Sequence, residues 1–288
     1  MPQARDSVAD PQRGGMNAPL IIAIETSGRQ GSVALARGPV VLAESGFPTD
    51  REHARELLPT LDKLCREQGW RPSEIEQCYV SIGPGSFTGL RVAVTFARHL
   101  ALAGGARIVA VPTLEVIAEN CATLEPPPAH VAVILDAKRG QVFAAVYERA
   151  APTVSPESGE IADQQMGESA LPTGPDRHPI GALRPPAYRC LVEPCLIEPV
   201  RLLAGAPRPL AVTGEGINYH RAALDVAGVE VLDRTLWPPQ ARNVHRVGWR
   251  LARAGRFTPS RELVPFYLRR PEAEELWEKR HGAPRGHT

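Results

Sequence analysis

The sequence SIGPGSFTGLRVAVTFARHLA, residues 81–101, joins a glycine-rich loop directly to a long apolar stretch. Apolar residues recur with i, i+3, i+4 spacing from 90 to 103, which predicts a helix. The apolar run before the loop, at 78–82, predicts a buried strand. Strand, glycine turn and helix in this order indicate an α/β fold.

Known phosphate-binding and nucleophile motifs do not fit this loop. A P-loop requires a lysine after its last glycine, and the segment contains none. A dinucleotide fingerprint requires a glycine where Thr88 stands, and a hydrolase elbow requires glycines where Pro84 and Thr88 flank Ser86. The loop therefore predicts close approach of another backbone, with Phe87 as an apolar anchor.

The predicted helix at 90–103 has few polar residues and is apolar on more than one face. Such a helix is covered on two sides. The second cover is either an amphipathic helix predicted at 52–65 or a partner protein. The residues alone leave both alternatives open.

Two halves of the chain follow a similar plan. Three strands at hairpin spacing begin at residue 19 and lead into alternating helices and strands, and a second hairpin follows the proline-rich residues 125–130. These patterns predict a duplicated, two-lobed fold. The predicted parts are a disordered extension at 1–18, an N-terminal lobe at 19–124, and a C-terminal lobe at 125–288 with a loop-rich insertion at about 151–209 and a helical tail.

Composition indicates an ordinary globular protein. The net charge of +1 over 288 residues gives no global field that would attract nucleic acid. Five scattered cysteines form no disulfide or zinc pattern, which favours a reducing, cytoplasmic location. The first apolar run, residues 20–24, is far too short to span a bilayer, so no membrane contact is expected.

Six motifs occur in order: IAIETS, REHARELLP, GPGSFTGLR, LDAKRGQVF, TGEG and PFYLRRPEAEELW. Over residues 19 to about 278 the chain resembles the TsaB family, the dimerisation subunits of bacterial tRNA threonylcarbamoyladenosine biosynthesis. The resemblance implies a two-lobed actin-like ATPase (ribonuclease-H-like) fold, in which each lobe is a mixed β-sheet flanked by helices.

The resemblance also implies a function without an active site of its own. The family pairs with the catalytic paralogue TsaD, or with itself when alone, and the ATPase TsaE joins the pair. The complex transfers threonylcarbamoyl to the adenosine beside the anticodon of tRNAs that read codons beginning with A. The H-x-x-x-H metal motif of the paralogue is absent from this sequence, and no triad is assignable, so neither a metal, catalytic residues nor peptidase chemistry is expected. ATP or ADP with magnesium is expected only in the assembled complex.

The resemblance places the partner interface on the helices at 52–65 and 90–103. The residues expected there are Leu57, Leu58, Leu61, Phe87, Thr88, Gly89, Leu90, Arg91 and Val94.

A vestigial nucleotide site is expected between the lobes. Its residues are Glu25, Thr26, Ser27, Asp136, Gly214 and Gly216. Glu25 is one carbon longer than the usual Asp, and Ser27 stands where a glycine is typical, which favours a vestigial site. The alternative is an active ATP-dependent phosphotransferase or ATPase that requires Glu25 and Asp136.

A stripe of arginines with helical spacing provides a second surface hypothesis. Its members are Arg242, Arg246, Arg250 and Arg253, with no acidic residue nearby in sequence. Such a stripe could contact tRNA phosphates or an acidic partner, although a solvated helix face is the favoured interpretation.

Overall fold

The structure, a computed structural model, describes residues 18–47, 53–150 and 188–269. It contains two five-stranded mixed sheets with helices packed against them, which confirms the predicted α/β two-lobed fold. The extension predicted before residue 18, most of the predicted insertion and the predicted helical tail from 270 lie outside the described residues.

The first sheet has the order β3-β2-β1-β4-β5. Its strands are β1 (Leu20–Glu25), β2 (Gly31–Arg37), β3 (Val40–Phe47), β4 (Gln77–Gly83) and β5 (Arg107–Pro112). The first three strands are antiparallel, and β4 and β5 run parallel to β1. All six residues of β1 are buried because this strand is central and both of its faces are covered.

Two helices cover one face of this sheet: α1 (His53–Gln68) and α2 (Phe87–Gly104). The Ser86 side chain caps α2 by accepting a hydrogen bond from the Gly89 N–H. The helix therefore begins three residues before the predicted start at 90, and Phe87, Thr88 and Gly89 form its first turn rather than a loop.

The second sheet repeats the plan, with the order β10-β9-β6-β7-β8. Its strands are β6 (His130–Asp136), β7 (Val142–Arg149), β8 (Tyr188–Ile197), β9 (Leu210–Thr213) and β10 (Val229–Val231). Strands β6 to β8 are antiparallel, and β9 and β10 continue the sheet in parallel. Both lobes thus open with an antiparallel meander.

The expectation of surface loops at 151–209 is wrong for its described part. Strand β8 and the helix α4 (Pro199–Gly205) both fall within it. Strand β8 contains Pro194 and several exposed side chains because it is an edge strand, where a missing backbone donor is tolerated.

Two helices cross between the lobes. Helix α3 (Thr113–Ala118) follows β5 and packs its apolar residues against the second sheet. The last helix of the described residues, α6 (Ala241–Arg253), packs under the first sheet, where Val244 and Val247 join the same core as Ile21. The chain after residue 240 therefore returns to the N-terminal lobe, which differs from the predicted boundary that assigned 125–288 to the C-terminal lobe. The remaining short helix, α5 (Ile217–His220), lies at the cleft between the lobes.

None of the helices in the described ranges combines the length and the apolar character that crossing a bilayer requires.

Candidate functional site

Helices α1 and α2 lie side by side and enclose a surface groove of about 680 Å³. Its lining residues are Ala54, Leu57, Leu58, Phe87, Thr88, Arg91, Val92, Thr95, Phe96 and His99. Leu57 forms a buried floor, whereas Leu58 is 57% exposed on the wall. An apolar surface of this kind, with polar residues at its edge, is typical of a protein-binding site.

Phe87 connects this groove to the C-terminal part of the described chain. The Arg91 guanidinium lies 3.7 Å from the centre of the Phe87 ring, and the Tyr267 ring lies 5.0 Å from the same ring. These contacts fix Phe87 at the end of the groove.

The structure divides the nine expected interface residues into two groups. Leu58, Phe87, Thr88 and Arg91 line the groove, with Leu57 beneath them. The other four are buried inside the lobe: Leu61, Gly89, Leu90 and Val94. The prediction that these four present exposed side chains to a partner is therefore wrong. Both helices use one apolar face to cover their own sheet, and those four residues belong to that face.

Four wall residues of α2 were not predicted from the sequence. Val92, Thr95, Phe96 and His99 line the groove together with Thr88 and Arg91. Their i, i+3, i+4, i+7 spacing was the signal for a second face of this helix.

Glu25, expected at a nucleotide site, is completely buried at the end of β1. It accepts hydrogen bonds from the Ser27 N–H at 2.5 Å, from the Ser27 hydroxyl at 2.5 Å, and from the Ser81 hydroxyl. Burial outweighs these bonds and raises the pKa of Glu25. The carboxyl group is therefore directed into the lobe and contributes no atom to the cleft lining.

The turn that follows Glu25 is packed against the glycine-rich loop. The Thr26 hydroxyl donates to the Gly89 carbonyl at 2.8 Å, and the Ser86 N–H donates to the Ser27 carbonyl at 2.7 Å. A side chain at Gly85 would place its Cβ 2.5 Å from that Ser27 carbonyl oxygen. Glycine at 85 is therefore required for close backbone contact, which is the role predicted for the loop.

In the second lobe, Asp136 is engaged by residues of the chain itself. Its carboxylate accepts hydrogen bonds from the Lys138 ammonium at 2.8 Å and from the Lys138 backbone N–H at 3.1 Å. The His220 Nε2 lies 3.4 Å from the same carboxylate. Although partial burial acts in the opposite direction, these partners lower the pKa of Asp136.

The TGEG turn lies directly against β6. A side chain at Gly214 would place its Cβ 2.3 Å from the Ile134 carbonyl oxygen, and the Gly216 N–H donates to the same oxygen at 3.0 Å. These two glycines, expected at a nucleotide site, therefore serve close backbone packing in this structure.

A cleft of about 310 Å³ separates the two lobes, and the Arg29 side chain crosses it. The Arg29 guanidinium donates to the Tyr219 hydroxyl at 2.5 Å, and the Lys138 ammonium lies 5.0 Å from the Tyr219 ring centre. Within the described part of the chain, no group of three or more His, Cys, Asp and Glu residues has the arrangement needed to hold a metal ion.

The arginine stripe of α6 meets acidic residues from other elements. The Arg242 Nε lies 2.6 Å from one carboxylate oxygen of Glu44. The backbone N–H of Arg242 donates to the other oxygen of this carboxylate at 3.0 Å. The Arg246 guanidinium lies 3.7 Å from the carboxylate of the buried Glu119, and the Arg250 guanidinium lies 3.1 Å from the same carboxylate. Arg250 also forms an ion pair with Glu115. Three of the four arginines therefore have acidic partners within the chain itself, and only Arg253, at the exposed end of α6, has the solvated position that was favoured for the stripe.

Glu25→Gln is expected to make the free energy of unfolding less dependent on pH above 4.5. Because burial raises the pKa of Glu25 above 4.5, the folded protein keeps a proton that the unfolded chain releases as the pH rises. The wild type therefore loses stability through this interval, whereas the amide does not titrate. Urea unfolding at about pH 4, 6 and 8 measures both slopes, with the exposed Glu230→Gln as control. Equal slopes for Glu25→Gln and the wild type would show that the pKa of Glu25 is not raised in the folded protein.

Comparison with protein families gives a match over residues 47–187 to the model of TsaD, tRNA N6-adenosine threonylcarbamoyltransferase. The tRNA threonylcarbamoyladenosine biosynthesis protein TsaB of Bacillus subtilis is 34% identical over 261 residues, which cover 89% of this chain and 97% of that protein. The TsaB protein of Escherichia coli is 33% identical over 129 residues, which cover 45% of this chain and 55% of that protein.

Among solved structures, YeaZ from Pseudomonas aeruginosa superimposes with a TM-score of 0.67 at 21% identity. The match covers 87% of this chain and 100% of that one. At this level of identity the likeness supports the two-lobed fold.

Proposed function

The chain belongs to the TsaB family of tRNA threonylcarbamoyladenosine biosynthesis proteins, and from this premise we propose that it is the non-catalytic scaffold subunit of the modifying complex. In this role it acts in the cytoplasm and holds a TsaD paralogue in its active geometry. The complex includes TsaE and transfers threonylcarbamoyl to the adenosine beside the anticodon of tRNAs that read codons beginning with A. The tRNA is bound by the assembled complex.

The groove between α1 and α2 is the surface that we assign to the TsaD partner. Its apolar walls include the exposed Leu58 and the partly buried Phe96, over a floor that belongs to the core. Burying such a surface is the dominant favourable term in protein association. When TsaD is absent, the same groove serves for pairing with a second copy of this chain.

The proposed absence of catalysis is supported by how the candidate nucleotide residues are used. Glu25 is buried among hydrogen-bond donors of its own lobe, and Asp136 is paired with Lys138. Neither carboxylate is available to position a metal ion or a water molecule unless those contacts break. We propose that the isolated chain binds no nucleotide tightly and that ATP or ADP with magnesium is held only in the complex. Calorimetric titration with magnesium and ATP tests this, and saturable heat from the isolated chain would contradict it.

Leu58→Glu is expected to weaken binding of the TsaD paralogue from the same organism at least about 30-fold, the effect of losing a hot-spot residue worth about 2 kcal/mol. The introduced carboxylate would have to be desolvated without a cationic partner. Light scattering with size-exclusion chromatography, followed by calorimetry, measures complex formation.

The matched control is Leu102→Glu, which makes the same change on an α2 residue that is 76% exposed and outside the groove. It is expected to bind like the wild type, because surface substitutions away from an interface change little. Equal affinities of the Leu58 and Leu102 variants would remove the groove from the proposed interface.

A further inference from the structure

We propose that residues 263–269 form a strap that couples the groove between α1 and α2 to the cleft between the lobes, so that a partner bound in the groove holds the cleft closed. The segment passes from the core of the first lobe to a turn of the second lobe. The coupling itself is a property of the free chain. Only its use by a partner rests on the proposed function.

One end of the strap is fixed in the first lobe by core packing and by backbone contact. Leu263 is buried in the core that α1 and α2 share with the first sheet. The Phe266 N–H donates to the Ile82 carbonyl at 2.7 Å, just before the glycine-rich loop. A side chain at Gly83 would place its Cβ 2.8 Å from the Phe266 carbonyl oxygen, so glycine is required for the strap to pass here.

The middle of the strap contacts the groove. The centre of the Tyr267 ring lies 5.0 Å from the centre of the Phe87 ring, and Phe87 is a lining residue of the groove. Tyr267 is 37% exposed, so part of its surface remains to be covered. A partner that buries both rings binds the strapped arrangement more tightly than one in which the strap has left Phe87. Occupation of the groove therefore stabilises this position of the strap.

The other end of the strap clamps a turn of the second lobe. The Arg269 guanidinium donates to the Ala137 carbonyl and to the Gln141 side-chain oxygen, the latter at 2.5 Å. These two residues bracket the turn between β6 and β7, in which Lys138 and Arg139 have positive φ angles of 63° and 54°. Such angles are unfavourable for residues other than glycine and persist only where surrounding contacts hold them. Arg269 supplies two of those contacts.

The clamped turn forms one wall of the cleft. The Lys138 ammonium pairs with Asp136 at 2.8 Å and lies 5.0 Å from the centre of the Tyr219 ring. The Tyr219 hydroxyl accepts a hydrogen bond from Arg29 of the first lobe at 2.5 Å. All four residues line the cleft. Release of the turn by the strap therefore loosens the contacts that join the two lobes across the cleft.

Coupling between two sites is reciprocal. If a partner in the groove closes the cleft, then closure of the cleft raises the affinity for that partner by the same factor. The contact between Phe87 and Tyr267 limits this factor, because it is the link between the strap and the groove. An aromatic pair of this kind shifts an equilibrium about two- to tenfold.

Hydrogen exchange of the free, full-length chain tests the strap without any partner. The Ala137 N–H donates to the Gln141 carbonyl at 3.0 Å, and the Gln141 N–H donates to the Lys138 carbonyl at 3.1 Å, so both amides report on the turn. Arg269→Ala removes the clamp, and Phe87→Ala removes the groove-side contact in the other lobe. Both changes are expected to accelerate exchange of these amides about two- to tenfold, as measured by mass spectrometry of overlapping peptides.

Matched controls separate release of the strap from a general loss of stability. Val264→Ala truncates a strap residue that is 61% exposed, and Leu102→Ala truncates an α2 residue that is 76% exposed and outside the groove. Both are expected to leave exchange in the turn unchanged. Phe87→Leu keeps an apolar side chain but removes the ring, and it replaces Phe87→Ala if that variant does not fold.

The TsaD paralogue from the same organism extends the test to the partner. Its binding is expected to slow exchange in the turn of the wild type about two- to tenfold. No slowing is expected in Arg269→Ala, because the partner acts on the turn through the strap. Slowing in both proteins would mean that the partner covers the turn directly, and it would overturn the coupling.

Unchanged exchange in the Arg269 variant or in the Phe87 variants would overturn the strap. Equal acceleration in these variants and in the two controls would also overturn it, because the effect would then be a general loss of stability. A partner that binds without slowing exchange in the wild type would refute the coupling to the groove. Failure of the partner to bind would refute the proposed function and leave the results on the free chain standing.

Discussion

Leu90→Glu is expected to prevent stable folding of the N-terminal lobe and not merely to weaken partner binding. Leu90 is 0% exposed and packs beneath α2 beside Gly83. A carboxylate at this position would be buried without a cation, which costs several kcal/mol. Since a domain of ordinary stability has about 5–15 kcal/mol in total, the loss approaches the whole free energy of unfolding. Circular dichroism and urea unfolding measure the effect.

Two further variants keep this prediction testable even if the glutamate variant is insoluble. Leu90→Ala removes only buried carbon atoms and is expected to reduce the free energy of unfolding by about 2–5 kcal/mol. Thr88→Glu places the same carboxylate on an exposed residue in the first turn of α2, where the helix dipole favours negative charge, and no loss is expected. If Leu90→Glu unfolds at the same urea concentration as Thr88→Glu, the burial of Leu90 is incorrect.

His245→Gln is expected to remove a large part of the acid sensitivity of the fold. His245 lies on α6 beneath the first sheet, 1% exposed, with Nε2 at 2.9 Å from the Gly38 carbonyl oxygen. Its ring stacks on Tyr79 on one side, with a centroid separation of 6.0 Å, and Trp249 is stacked at 6.5 Å. The imidazole in this position is neutral and donates Nε2–H to the carbonyl.

The direction of the pH effect follows from the pKa of this imidazole. Burial, aided by the nearby Arg246 and opposed by the bond to Gly38, lowers the pKa of His245 from 6.5 to about 4. Between those values the unfolded chain binds a proton that the folded chain does not, so stability is present above pH 6.5 and is lost as the pH falls toward 4. The full shift corresponds to about 3 kcal/mol.

Glutamine keeps a side-chain donor but does not titrate, so the variant should lose less stability than the wild type over the same pH interval. Urea unfolding at several pH values gives the two slopes. The exposed His99→Gln is the control and should keep the wild-type slope. A His245 variant with the wild-type slope would show that another group controls acid unfolding.

Strong local patterns account for the parts of the fold that were predicted from sequence. Strand β1 is a continuous apolar run, and α2 has clear helical spacing after a glycine turn. Such patterns determine the type of an element and where it starts to within a few residues. They also establish that each helix has an apolar face.

Long-range partners account for what was not predicted. Leu58 and Leu61 are both leucines on α1, yet only Leu58 is exposed, because the placement of the sheet decides which face is covered. The acidic partners Glu115 and Glu119 of Arg250 lie more than 130 residues earlier in the sequence. The spacing of arginines along one helix therefore carried no information about the charges that meet it.

The return of α6 to the first sheet has a consequence for synthesis of the protein. Strands β1, β4 and β5 are complete by Pro112, but Val244 and Val247 of their cover are made much later. At elongation rates of about 5–20 residues per second, the intervening 141 residues up to Arg253 take roughly 7 to 28 s. During this time the nascent chain carries an uncovered apolar sheet face. We expect the nascent chain to be prone to aggregation through this face until α6 has been synthesised.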